Sequence, residues 1–500
     1  MLFSATDQFQ KRKDADLIVF PFWQGKKKNK EQAVPAALLH TWGSLANTAL
    51  DSGDFHGNVG ESLLLYTKDG KEKRCLLLGL GKEEKLTVDL LRKAYSQVAK
   101  ECQRKAITKI NLVVPTISEL RKVTTEECLK GIAEGILLTN YRWETLAVLN
   151  EETVLLKSVC LIGVQSSLLK FVKKQEHIAE GVYLARDLIN GNADIVTPQY
   201  LAETARKIAE KFPSVKTTIF DQKRIEKEGM GLVLAVSRGS AVEPAFIVLG
   251  HKGYPNSKDH TVIVGKGVTF DTGGLNLKTS GMETMRDDMS GAATALTTIA
   301  IAAALNLPIN VTAVVAAVEN AIDAHSYKPG DVYKSYAGFT VEIGNTDAEG
   351  RLTLADALAY SVKELKPSRM IDFATLTGSM VVALGEGMSG LFCNDEKLAK
   401  DLLESSERTA EILWRMPLFE PYKEQLKSDI ADLKNIGGRP AGSITAALFM
   451  QEFVQNTPWA HIDIAGTAFA NKEKGYVPKN GVGFGVRLMV DFLQNLSKKS

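Results

Sequence analysis

Residues 289–318 carry no charged side chain, and this stretch constrains the fold of the chain more than any other. A run of this length and polarity invites comparison with a membrane-spanning helix. Asn306, Pro308 and Asn310 interrupt it, however, so it predicts an Ala-rich helix over about 290–305 and a β-branched strand over about 309–318. Each predicted element is short enough to lie in the core of a globular protein, and we expect no membrane partner.

The rest of the chain alternates strand-like and helical segments, which is the pattern of an α/β protein. Strands followed by helices favour a mostly parallel central sheet flanked by helices. Because 500 residues exceed the size at which one hydrophobic core keeps growing, we expect two domains. Their predicted bounds are an N-terminal α/β domain over 1–165, a connecting helix over 166–189 and a C-terminal domain over 190–500.

The cysteines and the N-terminus bear on where the protein is located. The cysteine count of five is odd, and the cysteines are widely spaced without a CxxC pair, which predicts free thiols in a reducing compartment. The opening MLFSATDQFQKRKDADLIVF lacks the apolar run of a secretory signal. We therefore expect a cytoplasmic protein. The densest basic cluster, Lys26–Lys30, favours a solvated loop and leaves DNA contact open as an alternative.

Unusual charges collect in three loops, each close to the end of a predicted strand or the start of a predicted helix. VGKGVTFDTGGLNLK contains Lys266, Asp271 and Lys278. MRDDMSGAAT places Asp287 and Asp288 directly before the uncharged helix. NTDAEGRL contains Asp347, Glu349 and Arg351, and if that loop is extended the two acids project to the same side. Ligands of parallel sheets sit at the carboxyl ends of strands, so these loops form the candidate site.

Carboxylates at the edge of an apolar core are costly unless they are paired or bind metal. The acids of the three loops outnumber the nearby cations, and one or two divalent ions would neutralise the excess. Oxygen ligands suit Mg²⁺ or Mn²⁺, and Zn²⁺ also accepts them. Ordinary salt bridges and turn residues remain the alternative at this point. The sequence contains no HExxH, no GxxxxGK[ST] and no indication of a Ser-His-Asp triad.

The three loops match known motifs. NTDAEGRL resembles the signature octapeptide of the leucine aminopeptidase family, also called leucyl or cytosol aminopeptidases, which are two-metal exopeptidases. VGKGVTFDTGGLNLK and MRDDMSGAA are similar to that family's two upstream metal-binding segments. ARDLIN, KPGDV, ATLTG and GRPAGSITAALF extend the resemblance over roughly residues 180–500. By this resemblance the C-terminal domain would be the catalytic domain.

The resemblance implies a role for each matching residue. The implied metal ligands for two divalent ions, Mn²⁺ or Zn²⁺, are Lys266, Asp271, Asp288, Asp347 and Glu349. Lys278 and Arg351 would be the catalytic pair, with the lysine stabilising the oxyanion and the arginine holding bicarbonate as base. The implied reaction releases N-terminal amino acids, preferably leucine or other apolar residues, by a dimetal-bound hydroxide mechanism. The implied substrate-binding residues are Met285, Asn345, Ala348, Thr375, Leu376 and Gly378.

The resemblance also implies partners and leaves alternatives. Its substrates would be peptides with a free N-terminus, and the chain would assemble as a homo-hexamer to which the N-terminal domain contributes. Asp287 could take the place of Asp288, but Asp288 keeps the D-M-x-G-A register. Two other functions stay open: a DNA-binding transcriptional regulator on the same scaffold, and a two-metal phosphohydrolase, in which Lys266 has no evident role.

Overall fold

The structure is a computed structural model that describes residues 1–25, 42–68, 70–116, 123–144 and 153–499. The basic cluster Lys26–Lys30 lies outside the described residues. The chain divides into two compact units, of which the first comprises Met1–Glu180 and Lys472–Pro478 and the second Gly181–Asn471 and Lys479–Ser500. The domain boundaries expected from the sequence stay a prediction.

The first unit is an α/β fold built on a six-stranded sheet. The strand order is β1-β6-β5-β2-β4-β3, and every neighbouring pair is parallel except β3 with β4. The described elements of this unit are, in chain order, β1 Leu2–Thr6, β2 Leu17–Phe22, α1 Gly43–Ser52, β3 Ser62–Tyr66, β4 Arg74–Gly79, α2 Val88–Arg104, β5 Lys109–Val113, α3 Thr125–Thr139 and β6 Ser158–Ile162.

A short segment from late in the chain, Lys472–Pro478, belongs to this first unit. The Tyr476 hydroxyl donates a hydrogen bond to Asp89 Oδ1 at 2.6 Å, and Glu473 forms an ion pair with Lys100. No periodicity in the sequence indicates this association, because it depends on single polar contacts rather than on a helical or strand pattern. A long helix, α4 Leu169–Asn190, follows β6.

The second unit is a mixed α/β fold with a larger sheet of eight strands. The strand order is β15-β14-β17-β13-β9-β10-β8-β7; the central β17, β13, β9 and β10 are mutually parallel, and antiparallel pairs occur on either side. Its elements up to β13 are α5 Pro198–Lys211, β7 Val215–Phe220, α6 Gln222–Glu228, α7 Gly231–Ser237, β8 Ala245–Lys252, β9 His260–Asp271, α8 Ser290–Ala304, β10 Asn310–Asn320, β11 Val332–Lys334, β12 Thr340–Glu342, α9 Gly350–Tyr360 and β13 Arg369–Ala374.

The remaining elements complete the second unit and include two small sheets. They are α10 Gly378–Leu384, β14 Ser389–Cys393, α11 Glu396–Thr409, β15 Leu413–Arg415, β16 Leu433–Lys434, α12 Gly442–Gln451, β17 Trp459–Asp463, β18 Phe469–Ala470, β19 Asn480–Gly481 and α13 Val486–Lys499. β11, β12 and β16 form a three-stranded sheet, and β18 pairs with β19. The fold class expected from the sequence, α/β with a mostly parallel sheet and helices, is confirmed.

The uncharged stretch forms a helix and a strand, as predicted. In α8 every residue from Ser290 to Ile299 is buried, and in β10 the same holds from Val311 to Val318. α8 lies very close to the sheet: a Cβ added to Gly291 would lie 2.0 Å from the carbonyl oxygen of Phe373. Only glycine permits this approach. No helix within the described ranges combines the length and apolarity needed to span a bilayer.

The helix that follows the NTDAEGRL loop changes in its last turn. α9 ends at Tyr360, and Ser361–Leu365 form a single π-helical turn that closes at Lys366 with φ 47°. The Ser361 hydroxyl donates to the carbonyl oxygen of Ala357 at 2.7 Å, a type of contact that bends helices.

All five cysteines lie within the described residues and are free thiols, as predicted.

A buried carboxylate on α9 fixes the start of a neighbouring helix. Asp356, fully buried, accepts hydrogen bonds from the N–H groups of Leu232 and Val233 in the first turn of α7, at 2.9 and 3.1 Å. Its second oxygen accepts from the N–H of Tyr336 at 2.7 Å. The first turn of a helix leaves N–H groups without acceptors, so Asp356 satisfies donors that would otherwise be buried alone.

We expect Asp356→Asn to destabilise the second unit by roughly 1–3 kcal/mol, because an NH₂ group would then face at least one buried N–H donor. The measurement is the midpoint of thermal unfolding followed by circular dichroism. Asp221→Asn is the matched control, since Asp221 caps α6 through the N–H of Arg224 and asparagine caps helices equally well. Equal midpoints for the two variants would contradict the role given to Asp356.

Candidate metal centre

The three charged loops meet at the carboxyl end of β9. Lys266 and Asp271 belong to β9 itself, and Asp288 precedes α8. Asp347 and Glu349 lie between β12 and α9. The topology therefore brings together residues that are far apart in the chain, at the edge of the sheet where parallel strands place their ligands.

A β-bulge sets the direction of Asp271. Lys266 pairs with Ala316 of β10, and Asp271 pairs with Asn320, with a register shift between Val318 and Asn320. β9 thus contains one residue more than β10 over this interval. Because side chains alternate along a strand, the extra residue lets Asp271 face the same side as Lys266, which an odd separation would otherwise prevent.

Lys266 occupies an enclosed position in the cluster. Its Nζ lies 2.7 Å from Asp288 Oδ1 and 2.9 Å from Glu349 Oε1, and it donates to the carbonyl oxygen of Thr375 at 2.9 Å. Burial lowers the pKa of Lys266, but the carboxylates of Asp288 and Glu349 outweigh burial and raise this pKa above the ordinary lysine value. The charge of this buried ammonium is therefore held by two carboxylates.

Lys278 lies at the more open side of the cluster. Its Nζ lies 2.7 Å from Asp271 Oδ2 and 2.5 Å from Asp347 Oδ1. The side chain of Lys278 is 17% exposed and that of Asp347 is 35% exposed, whereas Asp271 and Glu349 are almost fully buried. Burial opposes the charge of Lys278, but Asp271 and Glu349 raise its pKa. The lysine thus stays a cation facing solvent.

The donor set fits metal cations. Carboxylate oxygens of Asp271, Asp347 and Glu349 lie within 4.8 Å of one another, close enough to share an ion. Asp288 Oδ2 is buried and has no hydrogen-bond partner among the described residues. Burial raises the pKa of Asp288 well above its ordinary value, and repulsion from Glu349 and Asp271 adds to this, although Lys266 opposes it. A divalent cation would relieve both the repulsion and the unpaired oxygen.

Glycines make room for this cluster. A Cβ added to Gly350 would lie 2.4 Å from Cε of Lys266, so α9 begins where only glycine fits beside the lysine. Gly273 has φ 87°, and a Cβ there would lie 2.9 Å from Asp347 Oδ1. The glycine pair of the first loop therefore allows that loop to approach the NTDAEGRL loop closely.

The NTDAEGRL loop is a turn rather than the extended segment that the sequence suggested. The N–H of Asp347 donates to Asn345 Oδ1 at 2.7 Å, an Asx-type contact that turns the backbone. Glu349 then has helical φ and ψ at the start of α9. Asp347 and Glu349 still converge, but they do so because the chain turns and enters a helix, not because alternate side chains share one side.

Arg351 is a buried cation with an unused donor. It is 7% exposed, and its Nη1 donates to the carbonyl oxygen of Asn435 at 3.0 Å, while Nε is buried without a partner within the part of the chain that the structure describes. Burial lowers the pKa of Arg351 to about 10, and the carboxylates of Glu349 and Asp463 oppose this. The guanidinium thus has one N–H donor that no described residue uses.

Of the expected substrate-binding residues, Thr375 contacts a carboxylate of the cluster through its side chain, and the others lie in the loops nearby or make backbone contacts. The Thr375 hydroxyl donates to Asp288 Oδ1 at 2.8 Å, and Leu376 donates its N–H to Asp463 Oδ1 at 3.2 Å. The carbonyl oxygen of Met285 accepts from the N–H of Asp288 at 3.3 Å. Gly378 begins α10 and is exposed, and Ala348 is buried between Asp347 and Glu349. Asn345 is the turn residue described above.

Neutral polar residues that the sequence analysis did not single out hold the two loops together. The Thr346 hydroxyl donates to the carbonyl oxygen of Gly273 at 2.7 Å, and the N–H of Asn276 donates to that hydroxyl at 2.8 Å. Asn320 Nδ2 donates to Asp271 Oδ1 at 2.7 Å. Tyr327 donates to the carbonyl oxygen of Thr346 at 2.7 Å. Thr346 and Asn276 lie within the NTDAEGRL and VGKGVTFDTGGLNLK motifs and Asn320 ends the strand beside β9, so their places in the sequence could have indicated these three residues.

The neighbouring Asp287 and Asp288 differ in their contacts. Asp288 contacts Lys266 and Thr375 through its carboxylate, as described above. The carbonyl oxygen of Asp287 accepts from the Ser290 hydroxyl at 2.5 Å, and burial raises the pKa of its carboxyl to about 6. The structure thus places Asp288 in direct contact with the cluster, the residue that the D-M-x-G-A register favoured.

Fold and site together define a class: two-domain mixed α/β proteins with a carboxylate and lysine cluster, suited to cations, at the carboxyl ends of central parallel strands. Comparison of the sequence with models of known protein families identifies the family within this class. The model described as cytosol aminopeptidase family, catalytic domain, matches residues 183–490, and that of the same family's N-terminal domain matches residues 18–147. The chain belongs to the cytosol aminopeptidase family. This confirms the family expected from the motifs and supports a metal-dependent aminopeptidase, that is, a peptidase and hydrolase.

Individual relatives agree with this. The chain is 50% identical over 502 residues to a probable cytosol aminopeptidase of Protochlamydia amoebophila, covering 99% of each chain. A mutant of tomato leucine aminopeptidase matches with a TM-score of 0.89 and 32% identity, covering 99% of this chain and 96% of that one. The bottromycin maturation enzyme BotP in complex with Mn matches with a TM-score of 0.85 and 31% identity, covering 97% of this chain and 100% of that one.

We expect Glu349→Gln to weaken Mn²⁺ binding at least about tenfold, because the change removes a negative charge and a ligand oxygen from the centre of the cluster. The measurement is Mn per chain by elemental analysis after equilibrium dialysis against graded Mn²⁺. Glu342→Gln is the matched control: Glu342 lies on β12 and contacts Ser428 and Lys434, outside the cluster. Unchanged Mn²⁺ content in Glu349→Gln would rule out a metal centre at this position.

Proposed function

We propose that the protein is a leucyl aminopeptidase that releases N-terminal residues, preferably leucine or other apolar residues, from peptides. One observation carries the proposal most. Four carboxylates, Asp271, Asp288, Asp347 and Glu349, share one site with two lysines in a chain of the cytosol aminopeptidase family. Their mutual repulsion and the unpaired Asp288 oxygen suit bound cations, and exposure on the side of Lys278 suits entry of a substrate.

The residues that would hold two divalent ions, Mn²⁺ or Zn²⁺, are Lys266, Asp271, Asp288, Asp347 and Glu349. When bound, such ions supply an activated water nucleophile and polarise the carbonyl group of the substrate. Lysine can be a ligand only when its amine is neutral, so Lys266 would hold an ion as the free amine, with its proton given up to solvent. The carboxylates of Asp288 and Glu349, released from the ammonium, would then be free to bind.

Lys278 is suited to stabilise negative charge on the substrate. It is the cation of the cluster that reaches the open side, and its Nζ is held by Asp271 and Asp347. Hydrolysis of a peptide bond places negative charge on the former carbonyl oxygen, and a positioned ammonium stabilises that charge more than it stabilises the neutral substrate. We therefore assign Lys278 to the oxyanion.

Arg351 is suited to hold the base. Its buried Nε–H donor has no partner among the described residues, and its Nη1 donates to the carbonyl oxygen of Asn435. A bicarbonate bound there would supply general-base chemistry. The role of Arg351 itself is to bind and orient that anion beside the carboxylates of Asp347 and Glu349, which would otherwise repel it.

Selection of the substrate would depend on two groups of its N-terminal residue, the free α-amine and the side chain. A free α-amine provides a neutral ligand for the cation site, which explains release of single residues from the N-terminus. For the side chain, Met285, Thr375, Leu376 and Gly378, with Ala348 and Asn345, would form a pocket of small and apolar groups suited to leucine. A homo-hexamer, a cytoplasmic location and the domain bounds at 165 and 189 stay proposals, which the resemblance and the sequence support.

The other functions considered have weaker support. DNA binding rests on Lys26–Lys30, outside the described residues, and stays a prediction from sequence alone. A two-metal phosphohydrolase would share the carboxylates, but family membership supports a peptidase instead.

We expect the protein to hydrolyse leucine p-nitroanilide and to lose this activity on N-acetyl-leucine p-nitroanilide, because acetylation removes the basic lone pair of the α-amine. The measurement is release of p-nitroaniline in the presence of Mn²⁺, with and without excess chelator. Bis-p-nitrophenyl phosphate serves as the comparison for phosphohydrolase activity. Hydrolysis of the acetylated substrate at the same rate would contradict an aminopeptidase, and chelator-resistant hydrolysis would contradict dependence on metal.

We expect Lys278→Met to lower kcat about 10²- to 10³-fold, the typical cost of removing one oxyanion donor. Mn²⁺ should bind at least as tightly as before, because the change removes a cation from between two carboxylates. Kinetics and Mn²⁺ titration on the same preparation check both parts. Lys363→Met, at a side chain 67% exposed, is the control and should change neither. A Lys278→Met protein that loses Mn²⁺ would show that Lys278 organises the cluster rather than acting on the substrate.

A further inference from the structure

Asn435 stands out among the buried polar residues near the site. It follows directly after the two-residue strand β16 and is fully buried. About 90 residues separate it from the NTDAEGRL loop, yet its side chain contacts the backbone on both sides of that loop's turn. No motif named above includes it.

The side chain of Asn435 uses both of its ends. Its Oδ1 accepts from the N–H groups of Gly344 and Asn345 at 2.7 and 3.2 Å. Its Nδ2 donates to the carbonyl oxygens of Asn345 and Ala348 at 2.8 and 3.2 Å. A carboxamide offers two donor hydrogens and one oxygen with two lone pairs, so its whole capacity is spent on this one loop.

The main chain of Asn435 adds two further connections. Its N–H donates to the carbonyl oxygen of Glu342, which continues the parallel pairing of β12 with β16. Its carbonyl oxygen accepts from Arg351 Nη1 at 3.0 Å. One buried residue therefore contacts the end of β12, the turn after it and the arginine in the first turn of α9.

The positions that Asn435 holds alternate with the proposed ligands. Asn345 and Ala348 flank Asp347, and Ala348 precedes Glu349. Fixing the carbonyl oxygens of Asn345 and Ala348 therefore fixes the backbone from which both carboxylates project. Asn435 reaches no carboxylate of the cluster in any of these contacts, so it acts through the loop and not on a ligand directly.

We propose that Asn435 is a positioning residue that places Asp347 and Glu349 relative to Arg351, and so aligns the metal-binding carboxylates with the anion-binding arginine. This inference rests on the proposed function. Because the amide is neutral, it orders the loop without adding a charge that would compete with a cation. Loss of the amide frees four backbone groups of the loop and leaves every proposed ligand in the chain.

The test compares the wild-type protein with Asn435→Ala. We expect the dissociation constant for Mn²⁺, measured by calorimetric titration with the metal alone, to rise about 10- to 100-fold, the usual cost of losing a partner that orients ligands. kcat for leucine p-nitroanilide should fall by a similar factor with a smaller change in KM, because four of the six residues proposed for the side-chain pocket lie outside the loop that Asn435 holds. Hydrogen exchange followed by mass spectrometry should quicken in peptides covering 344–351.

Asn310→Ala is the matched control within the same unit. Asn310 begins β10, and its amide holds a loop in the same manner: Oδ1 accepts from the N–H of Tyr254 at 3.2 Å, and Nδ2 donates to the carbonyl oxygens of Tyr254 and Ser257 at 2.7 and 3.0 Å. We expect Asn310→Ala to lower the midpoint of thermal unfolding and to leave the Mn²⁺ dissociation constant and kcat unchanged. A general loss of stability is thereby separated from positioning.

Asn435→Ser covers the case in which Asn435→Ala does not fold. A serine hydroxyl can still accept from one N–H but cannot donate to both carbonyl oxygens, so an intermediate rise in the Mn²⁺ dissociation constant supports the proposal. If a folded Asn435 variant binds Mn²⁺ as tightly as the wild-type protein does, and the wild-type protein is active, Asn435 is not a positioning residue. The proposed function is then unaffected. A wild-type protein that neither binds Mn²⁺ nor cleaves the leucine substrate overturns the proposed function and this inference with it.

Discussion

Lys266, a residue that is 3% exposed, holds its ammonium group between the carboxylates of Asp288 and Glu349, and much of the second unit is arranged around this buried ion cluster. Transfer of each such charge from water costs several kcal/mol, which attraction offsets only when partners are close and well oriented. The surroundings must therefore be rigid as well as apolar. α8 and β10 meet this need because they carry no charge over 289–318, and Gly291 lets the helix lie directly against the backbone of β9 and β13.

Rigidity at this edge comes from small departures from regular structure. A single extra residue in β9 turns Asp271 to the side of Lys266, and Gly350 lets α9 begin against the lysine side chain. The turn at Asn345 brings Asp347 over the glycine pair of the first loop. Each departure would cost stability in an ordinary sheet, and here each lets a charged group reach its partner. The cluster thus depends on backbone geometry as much as on residue type.

Much of the fold and of the candidate site could be predicted from the sequence, and the features that could not be predicted have a physical reason in common. Alternation of strands and helices predicted the α/β class, and the interruptions in 289–318 predicted the bounds of α8 and β10 to within two residues. The motifs predicted the family and named residues that the structure brings together at one site. The bulge in β9 and the turn at Asn345 were not predicted, because both arise from pairing between strands and loops far apart in the chain. The role of Asn435 was not predicted for the same reason, since a single asparagine after a two-residue strand forms no local sequence pattern.

Apart from Lys266 and Lys278, the polar groups that support the proposed carboxylate ligands share one property: they are neutral. Asn320 donates to Asp271, Thr375 donates to Asp288, and Tyr327 and Thr346 tie the loops through backbone oxygens. An arginine in any of these places would hold a carboxylate more strongly, but its charge would also satisfy the carboxylate and repel a cation. Neutral donors orient the oxygens while leaving their charge available. Amides and hydroxyls thus orient the oxygens without adding to the positive charge of Lys266 and Lys278, and the four carboxylates of the cluster outnumber its two lysines, which leaves negative charge for a divalent ion.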